Sequence, residues 1–345
     1  MTMTQPAQSP TKAPDARSGT GAGPLHLHLL DTSVASDNIG DEIIARHLRA
    51  QIEAAFPEAY VTTSASHDGL GRFGRRQVEA ADSVFLLGTN ALSAKWSSRG
   101  GLLPMSRADV RALEGKLVLF GVGANRAWTG RADRRQIRRL ARILSPRFTH
   151  SVRDGSAEKI VEAAGRRALN GSCPTIWTLP RQQAFAPTRP DHVIFSLTAY
   201  RADRAADARF LDWLQGRYTR FSFWAQQIED IAYLDSFTNR PAAQRIAPNL
   251  AAYDRALADP APLDVIGSRL HGGIQGLHAG RRSVILAVDN RAREIGALTQ
   301  IPVVDRAEAP DRLDALLDAP IEIDLTASHD LVPRFFSQFE ELRAA

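Results

Sequence analysis

Short apolar runs alternate with amphipathic segments along most of this chain, and no other feature constrains its fold as strongly. The runs have the length of buried strands, whereas the segments between them repeat apolar residues at the helical period. This alternation is typical of an α/β protein with parallel sheets. Strands are predicted at residues 25–30, 60–64, 83–88, 116–123, 148–152, 192–198, 218–223, 263–267, 283–288 and 302–305. Helices are predicted at residues 41–55, 131–144, 155–164, 202–215, 242–258, 271–279, 292–298 and 328–342.

A proline-rich stretch at residues 174–190 interrupts the alternation, which then restarts. Two Rossmann-like domains are therefore predicted, one on each side of this stretch, with a cleft between them. Ligands of such folds bind at the carboxyl ends of the strands, so residues just after strands are the candidates for a site. The predicted organisation is a disordered tail at 1–24, an N-terminal domain at 25–180, a C-terminal domain at 190–310 and a helical segment at 311–345.

The composition excludes several classes of protein. The 345 residues contain no apolar run near the roughly 18 residues of a membrane span, and residues 1–24 lack the apolar core of a secretory signal. Cys173 is the only cysteine, which excludes intramolecular disulfides and fits a cytoplasmic location. The net charge is +5, and all but four of the 43 basic residues are arginine. The arginine runs at 72–76 and 131–142 lack the repeated aromatic interleaving expected of a single-strand nucleic-acid platform, so no nucleic-acid partner is expected.

The most informative stretch is residues 264–273, DVIGSRLHGG. A buried strand there runs into a polar turn, and a helix then opens with paired glycines. Ser268, Arg269 and His271 would converge with the helix N-terminus on one point, which suits a phosphate or a carboxylate. The imidazole of His271 could then exchange a proton with the ligand. The alternative interpretation is a histidine that only packs or caps the helix.

Other predicted strands are followed by polar side chains as well. Asn38, Gly40 and Asp41 lie between the first strand and the first helix, where they either face the cleft or simply cap the helix. Arg153 ends the fifth strand, and it either clamps an anion or pairs with a surface carboxylate. Arg291 follows the ninth strand, from which it could enter the same cleft.

The order of these motifs resembles the polysaccharide pyruvyltransferase family. The set is Asn-x-Gly-Asp at 38–41, Ser-Val-Arg-Asp at 151–154, Cys-Pro-Thr at 173–175, Ser-Arg-Leu-His at 268–271 and Asp-x-basic at 289–291. The resemblance spans residues 25–305. It implies a bilobal, GT-B-like fold. It also implies an enzyme that transfers pyruvate from phosphoenolpyruvate to a pair of sugar hydroxyls, forming a cyclic ketal.

The resemblance also implies roles for individual residues. The C-terminal domain would hold the donor, and His271 would be the catalytic general acid/base. The residues implied to bind the donor are Arg153, Ser268, Arg269, Leu270 and Arg291. The residues implied on the acceptor side, in the N-terminal domain, are Asn38, Gly40 and Asp41. Cys173 is interpreted as structural.

The implied partners are phosphoenolpyruvate, as a donor substrate, and a glycan or lipid-linked saccharide acceptor. No cofactor and no metal are expected. A lipid-linked acceptor would leave peripheral contact with a membrane open.

Two other functions remain open from the sequence. A GT-B glycosyltransferase that uses a nucleotide sugar would have a similar architecture and a similar cationic donor site. A noncatalytic basic protein that binds a ligand or nucleic acid would share the charge. The GxGxxG run at 69–74 is interpreted as a loop, because no acidic residue follows about 20 positions later to bind a ribose.

Overall fold

The structure is a computed structural model that describes residues 23–95 and 103–343, so most of the predicted tail at 1–24 lies outside the described residues. The first domain is built on four strands, β1 (His26–Asp31), β2 (Tyr60–Ala65), β3 (Ser83–Leu87) and β4 (Leu117–Phe120). They form a parallel sheet in the order β2-β1-β3-β4. Two further parallel strands pair beside β4, namely β5 (His150–Val152) and β6 (Ala168–Asn170).

Five helices cover this sheet: α1 (Ile39–Ala55), α2 (Gly71–Ala80), α3 (Arg107–Ala112), α4 (Arg134–Ile143) and α5 (Gly155–Ala163). Helix α1 packs on one face and the other four helices pack on the opposite face. Strands β3 and β4 are buried along their whole length, as expected for a parallel sheet that is covered on both sides.

The interpretation of the GxGxxG run as a loop is wrong, because helix α2 begins inside it at Gly71. Gly69 and Gly71 have positive φ values of 72° and 56°, which let the chain turn sharply into the helix. Within α2 only Val78 is buried, so the apolar periodicity that signals a helix is nearly absent.

The second domain follows β7 (Gln182–Phe185), which lies in the proline-rich stretch. It is built on β8 (His192–Ser196), β9 (Arg220–Trp224), β10 (Gln244–Ile246), β11 (Leu263–Gly267), β12 (Arg282–Ala287) and β13 (Val303–Asp305). These strands form one parallel sheet in the order β10-β9-β8-β11-β12-β13. The chain thus has two Rossmann-like sheets, each with its strand ends toward a common cleft.

The helices of the second domain are α6 (Arg204–Arg217), α7 (Glu229–Asp235), α8 (Leu250–Leu257), α9 (Leu270–His278), α10 (Asn290–Thr299) and α11 (Ala309–Leu317). The helix predicted at 242–258 is partly wrong, since its first residues form the edge strand β10. Three-residue edge strands with exposed side chains carry almost no pattern. Within the described residues, no helix is long and apolar enough to cross a membrane.

The C-terminal segment returns to the first domain. It contains β14 (Ile321–Asp324), α12 (Thr326–His329), α13 (Leu331–Phe336) and α14 (Glu340–Arg343), so the prediction of a purely helical segment at 311–345 is wrong. Strand β14 pairs with β7 in an antiparallel ribbon, which requires a partner far away in sequence. The Phe335 ring stacks on Phe120 of β4 with centroids 5.1 Å apart, and Phe339 packs on Phe85 of β3. These contacts fasten the end of the chain to the first sheet.

Helices α1 and α9 form the contact between the two domains. The His47 ring of α1 stacks on the His278 ring of α9, with centroids 4.1 Å apart. Arg46 of α1 also pairs with Asp254 of α8 at 2.7 Å. The helices that begin at the cleft therefore hold the domains together behind it.

Two buried histidines make the fold sensitive to acid. His150 accepts a hydrogen bond from Leu119 N at Nδ1 and lies 3.1 Å from Ser145 O at Nε2, an arrangement that matches the neutral ring. Burial lowers the pKa of both His150 and His28 to about 4. Below pH 6.5 the unfolded chain binds protons that the folded chain excludes, so stability falls as the pH falls.

We expect the free energy of unfolding to drop by roughly 2 kcal/mol per histidine between pH 7 and pH 5. Urea unfolding at the two pH values measures the drop. A His150→Gln variant should lose roughly 2 kcal/mol less than the wild type over the same interval. An identical pH dependence in both proteins would contradict the assignment.

Candidate active site

A cleft of about 710 Å³ separates the two sheets. Its walls come from loops at the carboxyl ends of the parallel strands in both domains, where polar side chains can converge. Among the predicted site residues, only Gly40 is missing from the walls, which include Asn38, Asp41, Arg153, Ser268, Arg269, Leu270, His271 and Arg291.

His271 lies in the first turn of α9, at the floor of the cleft. It is only 6% exposed, and its Nε2 lies 3.5 Å from the sulfur of Cys173. Burial lowers the pKa of His271 well below its usual value, and the charges of Arg153 and Arg291 lower it further. The imidazole is therefore neutral at pH 7 in the empty cleft.

The N-terminus of α9 opens into the same space. Arg269 stands at the N-cap position, and its side chain makes no capping hydrogen bond. The first-turn amides of Leu270, His271 and Gly272 have no acceptor within the helix, because their partners would precede its start. Gly273 lets the helix lie close to β12, since a Cβ there would be 2.6 Å from Ile285. Free amides and the positive end of the helix dipole make this point a site for an anion.

Arg153 reaches the cleft from the end of β5. It is 5% exposed, and its Nη2 donates to Asn90 Oδ1 at 2.7 Å. Its buried Nε has no hydrogen-bond partner within the described residues. A Cβ at position 123 would lie 2.7 Å from that Nε, so Gly123 is what leaves room for the guanidinium. Arg153 is therefore a buried, only partly satisfied cation beside His271.

Arg269 is one of the residues expected to bind the donor, but its guanidinium is engaged by partners within the protein. Its guanidinium forms a bidentate ion pair with Asp230 of α7, with Nε 2.9 Å from Oδ2, and Nη1 donates to Gln227. Both side chains of the ion pair are at most 3% exposed. The pair is separated by 39 residues in sequence and fixes the loop before α7 against the start of α9. Arg269 thus builds the wall of the site.

Removing this guanidinium should mainly destabilise the protein, because Asp230 would be left charged and buried. We expect Arg269→Ala to cost about 3–5 kcal/mol of the free energy of unfolding. An Arg269→Met/Asp230→Asn double variant should recover part of that loss, since no charge is left unpaired and the amide oxygen can still accept from the backbone N–H groups of Gln226 and Gln227, as Asp230 does. Chemical denaturation of the three proteins measures the effect. An unchanged stability in Arg269→Ala would contradict this structural role of the ion pair.

Ser268 and Arg291 also have protein partners. The Ser268 hydroxyl donates to Thr198 Oγ1 at 3.0 Å, so it supports the turn. Arg291 pairs with Asp289 at 2.5 Å and donates to the Tyr200 hydroxyl at 3.1 Å. Burial opposes the charge of Arg291, but the Asp289 carboxylate prevails and raises the pKa of the guanidinium. Arg291 therefore remains a cation at the edge of the cleft.

The opposite wall belongs to the first turn of α1. Asn38 caps this helix and accepts hydrogen bonds from Gly40 N at 3.1 Å and from Gln226 Nε2 at 2.7 Å, so it bridges the domains. Gly40 makes room for that bridge, since a Cβ there would meet Gln226 at 2.4 Å. Asp41 accepts a hydrogen bond from Ser36 at 2.6 Å. Burial raises the pKa of Asp41, although Ser36, His67, Arg153 and Arg291 oppose the shift.

Sequence reasoning missed several residues of the site. Asp230 and Gln227 lie near the start of α7, where no strand-end motif marks them, and their role depends on an ion pair with a distant residue. Asn90 could have been found, because it lies in the turn that follows β3. Cys173 was expected to be structural, and it lies 1% exposed between His271 and Arg153. Within the described residues, no three His, Cys, Asp or Glu side chains form a group that could hold a metal ion.

The two facing Rossmann-like domains place the chain among GT-B-like α/β proteins. The family model of polysaccharide pyruvyl transferase matches residues 38–290, which is more than half of the chain. The chain therefore belongs to the polysaccharide pyruvyl transferase family and is a transferase. A solved structure described as the glycotransferase of kitacinnamycin is 14% identical, with a TM-score of 0.40, and the match covers 93% of this chain and 94% of that chain. A search of curated proteins found no match.

Proposed function

We propose that this enzyme transfers pyruvate from phosphoenolpyruvate to two hydroxyls of a glycan or lipid-linked saccharide, forming a cyclic ketal. The observation that carries the proposal is the position of His271. It lies in the first turn of α9, where the charges of Arg153 and Arg291 act on it, in a cleft that is open to a second substrate. Membership in the family supports a saccharide acceptor.

The donor carries a carboxylate and a phosphate, and the cleft offers a partner to each. The free amides at the start of α9 suit one of these groups, and the guanidinium of Arg153, which lines the cleft, suits the other. Arg291 adds a positive charge at the rim of the cleft while it remains paired with Asp289. In this pose the methylene carbon of the donor faces the imidazole of His271.

The reaction needs one proton at the methylene carbon. An acceptor hydroxyl adds to C2 of the donor while protonated His271 donates its proton to C3. The phosphate then leaves C2 with its bridging oxygen and takes up the proton that the first hydroxyl released. The second hydroxyl attacks C2 to close the ketal and gives its proton to His271, which is neutral after the first step. Arg153 and the α9 amides stabilise the charge that develops on the departing phosphate.

Asp41 is the residue we assign to the acceptor hydroxyl. It lies on the opposite wall of the cleft. The positive charges of Arg153 and Arg291 act on Asp41 as well as on His271. Its raised pKa makes it a better proton acceptor than an ordinary aspartate. Asn38 and Gly40 orient this wall through Gln226.

Donor binding should be accompanied by proton uptake. Burial and the two arginines keep the pKa of His271 low in the empty cleft, so the ring binds no proton at pH 7. A trianionic donor neutralises the arginines and adds negative charge nearby, which raises that pKa. Calorimetric titration in two buffers of different ionisation enthalpy should show uptake of close to one proton at pH 7. The same titration of a His271→Asn variant should show almost none, and equal uptake in both proteins would contradict the role of His271.

Ligand binding separates the proposal from its alternatives. Phosphoenolpyruvate should raise the melting temperature of the wild type, because it binds only the folded chain. The rise should be lost in Arg153→Ala, which should remain folded, and a nucleoside diphosphate should cause no rise. The free amides of α9 would also suit a diphosphate, so stabilisation by the nucleotide alone would favour glycosyl transfer. No response to either ligand would contradict both enzymatic functions.

A further inference from the structure

Three neighbouring helices of the first domain carry a net positive charge that is larger than that of the whole chain. Helix α3 contacts both α2 and α4, so the three lie side by side on one face of the sheet. Together they contain ten arginines and two acidic residues, an excess of eight positive charges, whereas the whole chain has a net charge of +5. The remainder of the chain is therefore slightly negative, and we call this face the basic helical face.

The acidic residues near this face neutralise little of its charge. Asp109 of α3 pairs with Arg75 and is buried, so that ion pair points inward. Glu114, just after α3, pairs with Arg142 at the end of α4. Besides Arg142, the exposed arginines on the three helices are Arg72, Arg76, Arg107, Arg111, Arg134, Arg135 and Arg138. Their charges add up to a strong positive potential over one surface.

An exposed aromatic residue lies at one end of this face. Phe73, in the first turn of α2, is 66% exposed, which is the largest exposure of any large apolar side chain in the described residues. The guanidinium of Arg72 lies over its ring, 4.9 Å from the centroid. An exposed phenylalanine among arginines is typical of helices that lie on a lipid surface, where the ring enters the acyl boundary and the arginines face headgroups.

The basic helical face also adjoins the mouth of the cleft. His67 lines the cleft just before α2 begins at Gly71. Arg126 and Ala127 line it on the segment that leads to α4, and both are exposed. A surface that contacts this face would therefore meet the side of the cleft formed by the first domain.

We propose that the basic helical face docks on a bilayer that contains anionic lipids, with Phe73 inserted at the interface. A bilayer is chosen as the partner because the arginines of this face are complementary in charge to anionic headgroups. A single-stranded nucleic acid would need several stacked aromatic side chains, and Phe73 is the one exposed aromatic residue described on these helices. The inference is independent of the donor, since it concerns a surface outside the cleft.

Vesicle binding tests the inference. The full chain should sediment with vesicles of phosphatidylcholine and phosphatidylglycerol and should stay in solution with phosphatidylcholine alone. The Arg72→Ser/Arg138→Ser variant should partition about 25-fold less, at about fivefold per arginine near an anionic surface. Phe73→Ser should weaken binding about tenfold.

The matched control removes the same charge from the second domain. Arg220 of β9 and Arg255 of α8 are exposed, so Arg220→Ser/Arg255→Ser should bind the vesicles like the wild type. A melting temperature equal to that of the wild type shows that each variant is folded, and the response of each variant to phosphoenolpyruvate reports on the proposed function separately. Equal losses in the two double variants, binding to neutral vesicles, or binding to a labelled oligonucleotide instead of anionic vesicles would overturn the inference.

Discussion

A His271→Asn variant is expected to lose pyruvyl transfer almost completely while still binding phosphoenolpyruvate. The expected fall in kcat is about 10²–10⁴-fold, the usual contribution of a positioned general acid. Donor binding should survive, because the amides of α9 and the guanidinium of Arg153 remain. Release of inorganic phosphate that depends on a saccharide acceptor measures the loss.

The control for this variant is another buried histidine. His150 also has a strongly lowered pKa, but it lies in β5, with its ring between Leu119 and Ser145, outside the walls of the cleft. A His150→Gln variant should therefore turn over at the rate of the wild type. If His271→Asn retains full activity, proton transfer by this residue is excluded.

An Arg153→Ala variant should bind the donor about 30–100-fold more weakly. Its side chain is buried, and a charge-assisted hydrogen bond to an anionic group contributes about 2 kcal/mol or more when water is excluded. Arg153→Lys should fall in between, because an ammonium keeps the charge but loses the planar fork. The dissociation constant of phosphoenolpyruvate, measured by calorimetry, gives the ranking.

The matched control for Arg153 is Arg255→Ala, which removes an exposed arginine of α8 and should leave the dissociation constant unchanged. The protein should remain folded in Arg153→Ala, since its hydrogen bonds go to Asn90 and the sulfur of Cys173 rather than to a buried carboxylate. A dissociation constant equal to that of the wild type would remove Arg153 from the donor site.

The strand ends that mark the cleft could be predicted because they combine two local signals. At β11 and α9, a fully buried apolar strand is followed at once by polar residues and a helix start, all within residues 263–273. Such a pattern can be recognised in the local sequence without knowledge of tertiary contacts. Strand β1 and helix α1 show the same local pattern, and Asn38 caps α1 as one interpretation of the sequence predicts.

The parts that could not be predicted depend on distant partners. Strand β14 exists because it pairs with β7, more than 130 residues earlier in the chain. The guanidinium of Arg269 is engaged by Asp230, and nothing near either residue indicates the pair. Asn38 looked like a simple helix cap or an acceptor contact, and only the packed domains show that it also binds Gln226.

A crystal structure of the protein soaked with phosphoenolpyruvate tests the central claim most directly. The account predicts one acidic group of the donor at the first-turn amides of α9, the other at Arg153, and the methylene carbon against the imidazole of His271. Donor bound elsewhere, or a cleft that takes up a nucleoside diphosphate but no phosphoenolpyruvate, would contradict it.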